Sequence, residues 1–200
     1  QQIAGTPGLR LAAVSGGAAE LREEAQRRFG VRTYSRHESL LADPAVRWVV
    51  IATTTDRHTE WALKALAAGK ELIVEKPVAL SLEEARRIFQ AADAGGLRVT
   101  VHQNRRWDAE YQLVRRVLAE DTLGEVYRVE SRYTHFSNGW GTWGAQGQAN
   151  PWRLKRDYGG GLLNDWGPHL FDQLILLHPA SVGTLFGRCE SRIWSREVED

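Results

Sequence analysis

Three side chains in this sequence have the chemistry needed to bind a hydroxyl group and move its proton. Lys76 precedes a proline, and Asp165 and His169 stand four residues apart. If that segment is helical, Asp165 could orient His169 or bind a second hydroxyl. An imidazole has an ordinary pKa of about 6.5 and a primary amine about 10.4, so the imidazole needs little tuning to act as a base. We therefore predict His169 as the general base and Lys76 as the cation that stabilises a developing alkoxide.

A second pattern, GWGTWG at Gly139–Gly144, matches the G-x-G-x-x-G turn of dinucleotide-binding proteins. A working turn follows a strand and begins a helix, because the helix N-terminus helps to hold the phosphates. Here Ala145–Pro151 follows, and its Gly, Gln, Asn and final Pro do not continue as a helix. The pattern is therefore predicted to be a loop over a pocket rather than a phosphate site.

Tryptophan is abundant, with eight in the chain. Flat rings suit a sugar or polyol pocket, although packing in the core and in loops is the alternative. Trp152 is predicted to contact substrate. The five tryptophans that cluster in the second half are Trp107, Trp140, Trp143, Trp152 and Trp166.

Composition limits the class of protein. The chain has 200 residues, 42% apolar and 26% charged, and a net charge of +1, so nothing indicates a nucleic-acid partner. Cys189 is the only cysteine, and no apolar run approaches the roughly 20 residues of a membrane helix. No signal peptide is visible, so we expect a cytoplasmic protein with no membrane partner. No Cys/His cluster has metal spacing, and the absence of methionine indicates a piece of a longer chain.

The first half of the chain alternates between strand and helix patterns. Such alternation implies βαβ units, so we predict an α/β fold with a mainly parallel sheet over residues 1–102. Two capping boxes of the form S-x-x-E, at Ser35–Glu38 and Ser81–Glu84, are expected to begin helices. The predicted strands are Leu9–Val14, Val31–Tyr34, Arg47–Ala52, Glu71–Val74 and Leu97–Val101. The predicted helices are Ala18–Phe29, Arg57–Ala68 and Ser81–Ala94.

The second half, residues 103–200, has a different pattern. Helices are predicted at Tyr111–Ala119 and Gly161–Leu177, and strands at Glu125–Thr134 and Val182–Trp194. Two strands do not make a stable sheet. We therefore predict a partial α+β substrate domain whose open, mainly antiparallel sheet is truncated.

Several short motifs occur in a defined order. They are I-A-T-x-x-x-x-H at Ile51–His58, E-K-P at Glu75–Pro77, Asn104-Arg105-Arg106, and G-G-G-x-x-x-D-x-G-x-H-x-x-D at Gly159–Asp172. This ordered set resembles the Gfo/Idh/MocA family of oxidoreductases over about residues 9 to 194. The stretches His102–Asp108 and Asp165–Gln173 look most similar to its NADP-dependent scyllo-inositol dehydrogenase branch.

The resemblance implies a Rossmann domain followed by an open-faced substrate domain. It implies a first strand and the true Gly-rich turn ahead of residue 1, so this chain is expected to lack its main pyrophosphate site. It also implies that Lys76, Asp165 and His169 form the catalytic set, that the Lys76–Pro77 bond is cis, and that the parent protein is a homo-oligomer.

The end of the first predicted strand bears on the choice of cofactor. NAD-dependent enzymes place Asp or Glu there to bind the ribose 2′-hydroxyl, whereas this chain has Ser15 and Gly16. A hydroxyl and a bare backbone accept a 2′-phosphate, and Arg22 or Arg10 could add charge, so NADP is predicted and NAD is the alternative. The predicted cofactor contacts are Ser15, Gly16, Thr53, Thr54, His58, Glu75, Lys76 and Asn104. The predicted substrate contacts are Lys76, Arg105, Trp152, Asp165 and His169.

The function predicted from these observations is transfer of a hydride between a hydroxyl of a cyclic polyol or sugar and a nicotinamide. Two alternatives stay open. One is a glycosidase that uses its redox cofactor transiently, and the other is a non-catalytic dinucleotide sensor, for which a proton-transfer set would be unnecessary.

Overall fold

The structure is a computed structural model that describes residues 2–134, 151–178, 182–192 and 196–199. The predicted strands of the first half all form, some of them shorter than expected. The strands are β1 (Ala13–Ser15), β2 (Arg32–Tyr34), β3 (Trp48–Ile51), β4 (Glu71–Val74) and β5 (Val99–Val101). The α-helices are α1 (Gln2–Gly5), α2 (Ala19–Phe29), α3 (His37–Leu41), α4 (His58–Ala67), α5 (Leu82–Ala94), α6 (Ala109–Ala119) and α7 (Leu162–Leu177).

All strand pairs are parallel, which confirms the predicted α/β class. β1 pairs with β2, and β3, β4 and β5 pair in that order, with Trp48 opposite Glu71 and Leu72 opposite Val99. Within the described ranges no strand pairing joins β1 to β3. Instead, residues of both strands line a groove of about 760 Å³.

Local sequence explains where α5 begins. The Ser81 hydroxyl accepts from the Glu84 backbone N–H at 3.2 Å, and the Glu84 carboxylate accepts from the Leu80 N–H at 3.0 Å. The other predicted capping box does not form. Arg36, not Ser35, directly precedes α3, so the serine hydroxyl is one position too early to cap the first turn.

The core lies between the three-stranded sheet and helices α4 and α5. Leu72, Val74, Ala62, Ala65 and Ile88 have no exposed surface. These strands are short and strongly apolar, as expected for strands covered by helices. The packed core holds the carboxyl ends of β3, β4 and β5 at one edge, which we call the rim.

The predicted strands Glu125–Thr134 and Val182–Trp194 are wrong over the residues that the structure describes. Neither segment is assigned as a strand there, and Tyr127 and Phe186 are 96% and 90% exposed. A strand needs at least one partner strand to pair with, and these segments find none among the described residues. Within the same ranges no helix is both long and apolar enough to cross a bilayer.

Candidate active site

Lys76 and Asp165 meet at the rim, although 89 residues separate them in the chain. Lys76 lies two residues after β4, and Asp165 lies in the first turn of α7. The Lys76 ammonium donates to Asp165 Oδ1 at 2.6 Å and to the Asp165 carbonyl oxygen at 2.7 Å. The two side chains are only 16% and 15% exposed, so the pair is shielded from bulk water.

His58 lies between the backbone segments that follow β3 and β4. Its side chain is 1% exposed, with Nδ1 at 2.8 Å from the Pro77 carbonyl oxygen and Nε2 at 3.1 Å from the Thr53 carbonyl oxygen. The Lys76–Pro77 bond is cis, as the resemblance implied. Because each ring nitrogen lies against a backbone carbonyl oxygen, one after β3 and one after β4, neither nitrogen is left for a cofactor.

Glu75 is bound by a histidine that the sequence analysis did not select. His102, directly after β5, places Nδ1 at 2.8 Å from Glu75 Oε1. Both side chains are partly exposed, at 41% and 36%. The pair joins the ends of two neighbouring strands beside Lys76, which orients the Glu75 carboxylate.

His169 lies one turn after Asp165 on α7 and is 6% exposed. Among the described residues, its Nδ1 atom has no hydrogen-bond partner, because Asp165 is directed at Lys76. Burial, followed by the nearby charges of Lys76 and Arg105, lowers the pKa of His169 to about 4. This corrects two expectations: Asp165 does not orient the imidazole by a hydrogen bond, and the imidazole is strongly tuned, toward its neutral form.

The three glycines before α7 each meet a different neighbour. A Cβ at Gly159 would collide with the Leu80 side chain, one at Gly160 with the backbone of Arg153, and one at Gly161 with the Glu199 carboxylate. The glycine run therefore lets three segments approach the start of the helix closely.

Glu199 caps the N-terminus of α7. Its carboxylate accepts from the Leu163 N–H at 3.0 Å, and its backbone carbonyl accepts from the Leu162 N–H at 3.2 Å. The first N–H groups of a helix lack partners within the helix, and a negative charge there is favourable. Glu199 thus stabilises the turn that carries Asp165.

An aromatic stack forms a wall beside His169. The Tyr133 ring stacks on Trp166 with centroids 3.9 Å apart, and the Arg105 guanidinium lies 4.2 Å from the Trp166 ring centre. The Trp166 ring is thus engaged by two residues of the chain itself, and its centre lies 6.0 Å from that of the His169 ring in an edge-on arrangement.

Arg105 and Trp152 are the other predicted substrate residues. Arg105 is fixed by Asp108 at 2.8 Å and, through its carbonyl oxygen, by Gln173. Trp152 is partly buried, and the Arg153 guanidinium lies 4.4 Å from its ring centre. The loop Gly139–Gly144, with Trp140 and Trp143, lies outside the described residues.

The predicted cofactor residues fall into two groups. Ser15 and Thr53 line a cavity of about 170 Å³. Gly16 is next to Ser15, with φ +82° and with the His37 ring against the position that a Cβ would take, so a side chain does not fit there. At the rim, Thr54 follows β3 and Asn104 begins a 3₁₀-helix after β5, with its side chain exposed.

Basic groups surround the Ser15 end of this cavity. His37 Nδ1 is 2.8 Å from the Ser15 hydroxyl, and the His37 ring packs edge-on against Trp61. Arg22 donates to the carbonyl oxygens of Gly16 and Gly17 at 3.4 and 2.5 Å. Sequence reasoning gave His37 no role, because only the fold shows that α3 begins beside the end of β1.

Comparisons with known proteins identify the family of this chain. The oxidoreductase family with an NAD-binding Rossmann fold, Gfo/Idh/MocA, matches residues 2–103, and its C-terminal domain matches residues 111–200. The uncharacterized oxidoreductase YdgJ of Escherichia coli is 36% identical over 175 residues, which are 88% of this chain and 48% of that protein. The scyllo-inositol 2-dehydrogenase (NADP(+)) IolW of Bacillus subtilis is 30% identical, over 70% of this chain and 37% of that protein.

A solved structure shows the same fold. An NAD-binding protein from Listeria innocua superposes with a TM-score of 0.77 at 37% identity, covering 88% of this chain and 49% of that one. The chain thus spans about half the length of the relatives it matches. With both of its halves matched in order, this chain belongs to the Gfo/Idh/MocA family of oxidoreductases.

Proposed function

We propose that the protein is an NADP-dependent dehydrogenase that oxidises a secondary hydroxyl of a cyclic polyol or sugar. The observation that carries the proposal is the meeting of Lys76, Asp165 and the buried His169 at the rim. An ammonium, a carboxylate and an imidazole in one shielded place provide a hydroxyl-binding cation and a proton acceptor. The name of one relative, a scyllo-inositol dehydrogenase that uses NADP, supports the same substrate class.

In this proposal the substrate hydroxyl accepts a hydrogen bond from the Lys76 ammonium. A nicotinamide cofactor would supply the acceptor for the hydride that leaves the carbon carrying this hydroxyl. His169, which is neutral at neutral pH, receives the hydroxyl proton, and the carbinol becomes a carbonyl. The charge of Lys76 stabilises the oxygen as it becomes alkoxide-like.

The lowered pKa of His169 also affects which direction of the reaction, oxidation or reduction, is favoured at a given pH. A neutral imidazole is ready to accept a proton, whereas the protonated form needed to reduce a carbonyl is scarce at neutral pH. We expect reduction to accelerate as the pH falls toward about 5, while oxidation does not require acid.

The residues at the end of β1, where the adenosine ribose would lie, support NADP over NAD as the cofactor. A 2′-phosphate needs positive charge and hydrogen-bond donors, and it is repelled by a carboxylate. Arg22, His37 and the Ser15 hydroxyl stand at the end of β1, beside a glycine whose Cβ position is filled by His37. These residues would hold the phosphate at the position where NAD-dependent enzymes use an acid.

The experiment is an assay of the full-length protein with NADP⁺ and with NAD⁺, against inositol isomers, glucose and xylose, by absorbance of the reduced nicotinamide. We expect turnover with NADP⁺ and its loss in Lys76→Ala. Unchanged turnover in that variant would favour a different site. Release of free sugar from aryl glycosides would indicate the glycosidase alternative, and cofactor binding without any turnover would indicate a sensor.

A further inference from the structure

Asp165 stands between two cations. Its Oδ1 atom accepts from Lys76 at 2.6 Å, and its Oδ2 atom lies 3.6 Å from Arg153 Nε. The Arg153 side chain is 22% exposed, so this second cation is also partly shielded from water. The Asp165 carboxylate therefore faces two positively charged side chains, Lys76 and Arg153.

Lys76 and Arg153 differ in how many of their N–H donors have a hydrogen-bond partner. A lysine ammonium has three N–H donors, and two of those on Lys76 point at Asp165. Arg153 Nε, by contrast, is buried without a hydrogen-bond partner among the described residues. A buried donor without a partner is uncommon and unfavourable, and a movement of about 0.6 Å would bring Nε within ordinary bonding distance of Oδ2.

The backbone holds Arg153 in this place. The Gly161 N–H donates to the Arg153 carbonyl oxygen at 2.9 Å, and Gly160 leaves no room for a side chain against the same carbonyl. The guanidinium also packs on Trp152. Arg153 is thus anchored to the same glycine turn that begins α7, so its distance to Asp165 is set by the fold.

We propose that Arg153 is a positioning residue that takes over the Asp165 carboxylate when Lys76 turns to the substrate hydroxyl. The proposal rests on the dehydrogenase function proposed above. Leaving a mostly buried carboxylate without a partner is unfavourable, so Lys76 alone could not leave Asp165 readily. With Arg153 in reach of Oδ2, the carboxylate keeps a cation in both arrangements, and the ammonium becomes available to substrate.

The test compares Arg153→Gln with Arg153→Lys, which keeps the charge, and with Lys155→Gln, which removes an exposed positive charge two residues away. Each protein is treated briefly with acetic anhydride, and the labelling of Lys76 relative to Lys64 is measured by peptide mass spectrometry. In Arg153→Gln, Lys76 is the one cation of the described residues left within ion-pair distance of Asp165, so its labelling should fall roughly tenfold. Lys155→Gln should match the unmodified protein, and Arg153→Lys should restore most of the labelling.

The same variants are made in the full-length protein. There, kcat for polyol oxidation should fall roughly tenfold in Arg153→Gln, with KM for NADP⁺ unchanged. Equal labelling of Lys76 in Arg153→Gln and Lys155→Gln would overturn the proposal, even if the protein has no dehydrogenase activity. If Arg153→Gln does not fold, as judged by circular dichroism, Arg153→Lys is the deciding variant. Lysine is shorter than arginine and lacks its forked guanidinium, so the labelling of Lys76 should fall only in part. Complete loss of Lys76 labelling in Arg153→Lys would refute the exchange.

Discussion

Replacing His169 with asparagine should remove much of the acid sensitivity of folding. In the folded protein the pKa of His169 is about 4, because burial and the charges of Lys76 and Arg105 disfavour the imidazolium. In the unfolded chain it returns to about 6.5. Between these values the unfolded state binds a proton that the folded state does not, so the free energy of unfolding falls as the pH falls through this range.

The size of the effect follows from the two values. Lowering the pH from about 7.5 to about 5 should reduce the free energy of unfolding by about 2 kcal/mol through His169, and the full difference near pH 4 is about 3 kcal/mol. Carboxylates whose pKa is lowered, such as Asp43 by the Ala45 N–H and Glu71 by Arg98, contribute mainly below about pH 5. The upper range therefore separates the contribution of His169 from that of these carboxylates.

The assay is urea unfolding at the two pH values for the unmodified protein, His169→Asn, and His178→Asn as a control at an exposed histidine. The drop in His169→Asn should be smaller by about 2 kcal/mol, whereas His178→Asn should behave like the unmodified protein. An equal drop in all three proteins would refute the argument that His169 is held neutral by its surroundings.

Three further predictions concern other parts of the chain. Gly16 and Gly8 have nearly equal φ values, +82° and +81°, but of the two only Gly16 has the His37 ring against the position of a Cβ. Gly16→Ala should therefore weaken NADP⁺ binding to the full-length protein, as measured by calorimetry. Gly8→Ala is the control and should leave the binding unchanged. Leu72→Ala, at a fully buried position, should lower the free energy of unfolding by about 2–5 kcal/mol, whereas Leu82→Ala, 66% exposed, should lower it much less in the same urea experiment. Glu199→Ala should cost about 1 kcal/mol and speed amide exchange at Leu163, and Glu199→Gln should retain part of the protection because its amide oxygen still accepts; equal exchange in all three proteins would contradict the cap.

The sequence was sufficient for several features that local chemistry decides, although the capping box expected at Ser35 did not form. The strands of the first half, the parallel pairing and the capping box at Ser81 follow from short patterns, and motif order brought Lys76 and Asp165 to one site. The pKa of His169 was out of reach, because it depends on burial and on two cations that stand far away in the chain. The strand expected at Glu125–Thr134 needed partners that no local pattern reveals.

The same limit explains which site residues were missed. His37, Arg153 and Tyr133 carry no motif, and each gains a role only because the fold places it beside Ser15, Asp165 or Trp166. The G-G-G run was visible as a motif, but its reason was not. The structure supplies it as three separate close approaches at the start of α7.

The separation of β1 from β3 has a consequence for how a ligand could hold the chain together. Within the described ranges no ladder hydrogen bonds join these two strands, and Ala13 and Tyr34 of the β1–β2 pair pack against the core cluster instead. Ser15, at the end of β1, and Thr53, after β3, line the same cavity. A ligand that contacts both residues would therefore fasten the β1–β2 pair to the three-stranded sheet, which should appear as slower hydrogen exchange at Val14 when the ligand is bound.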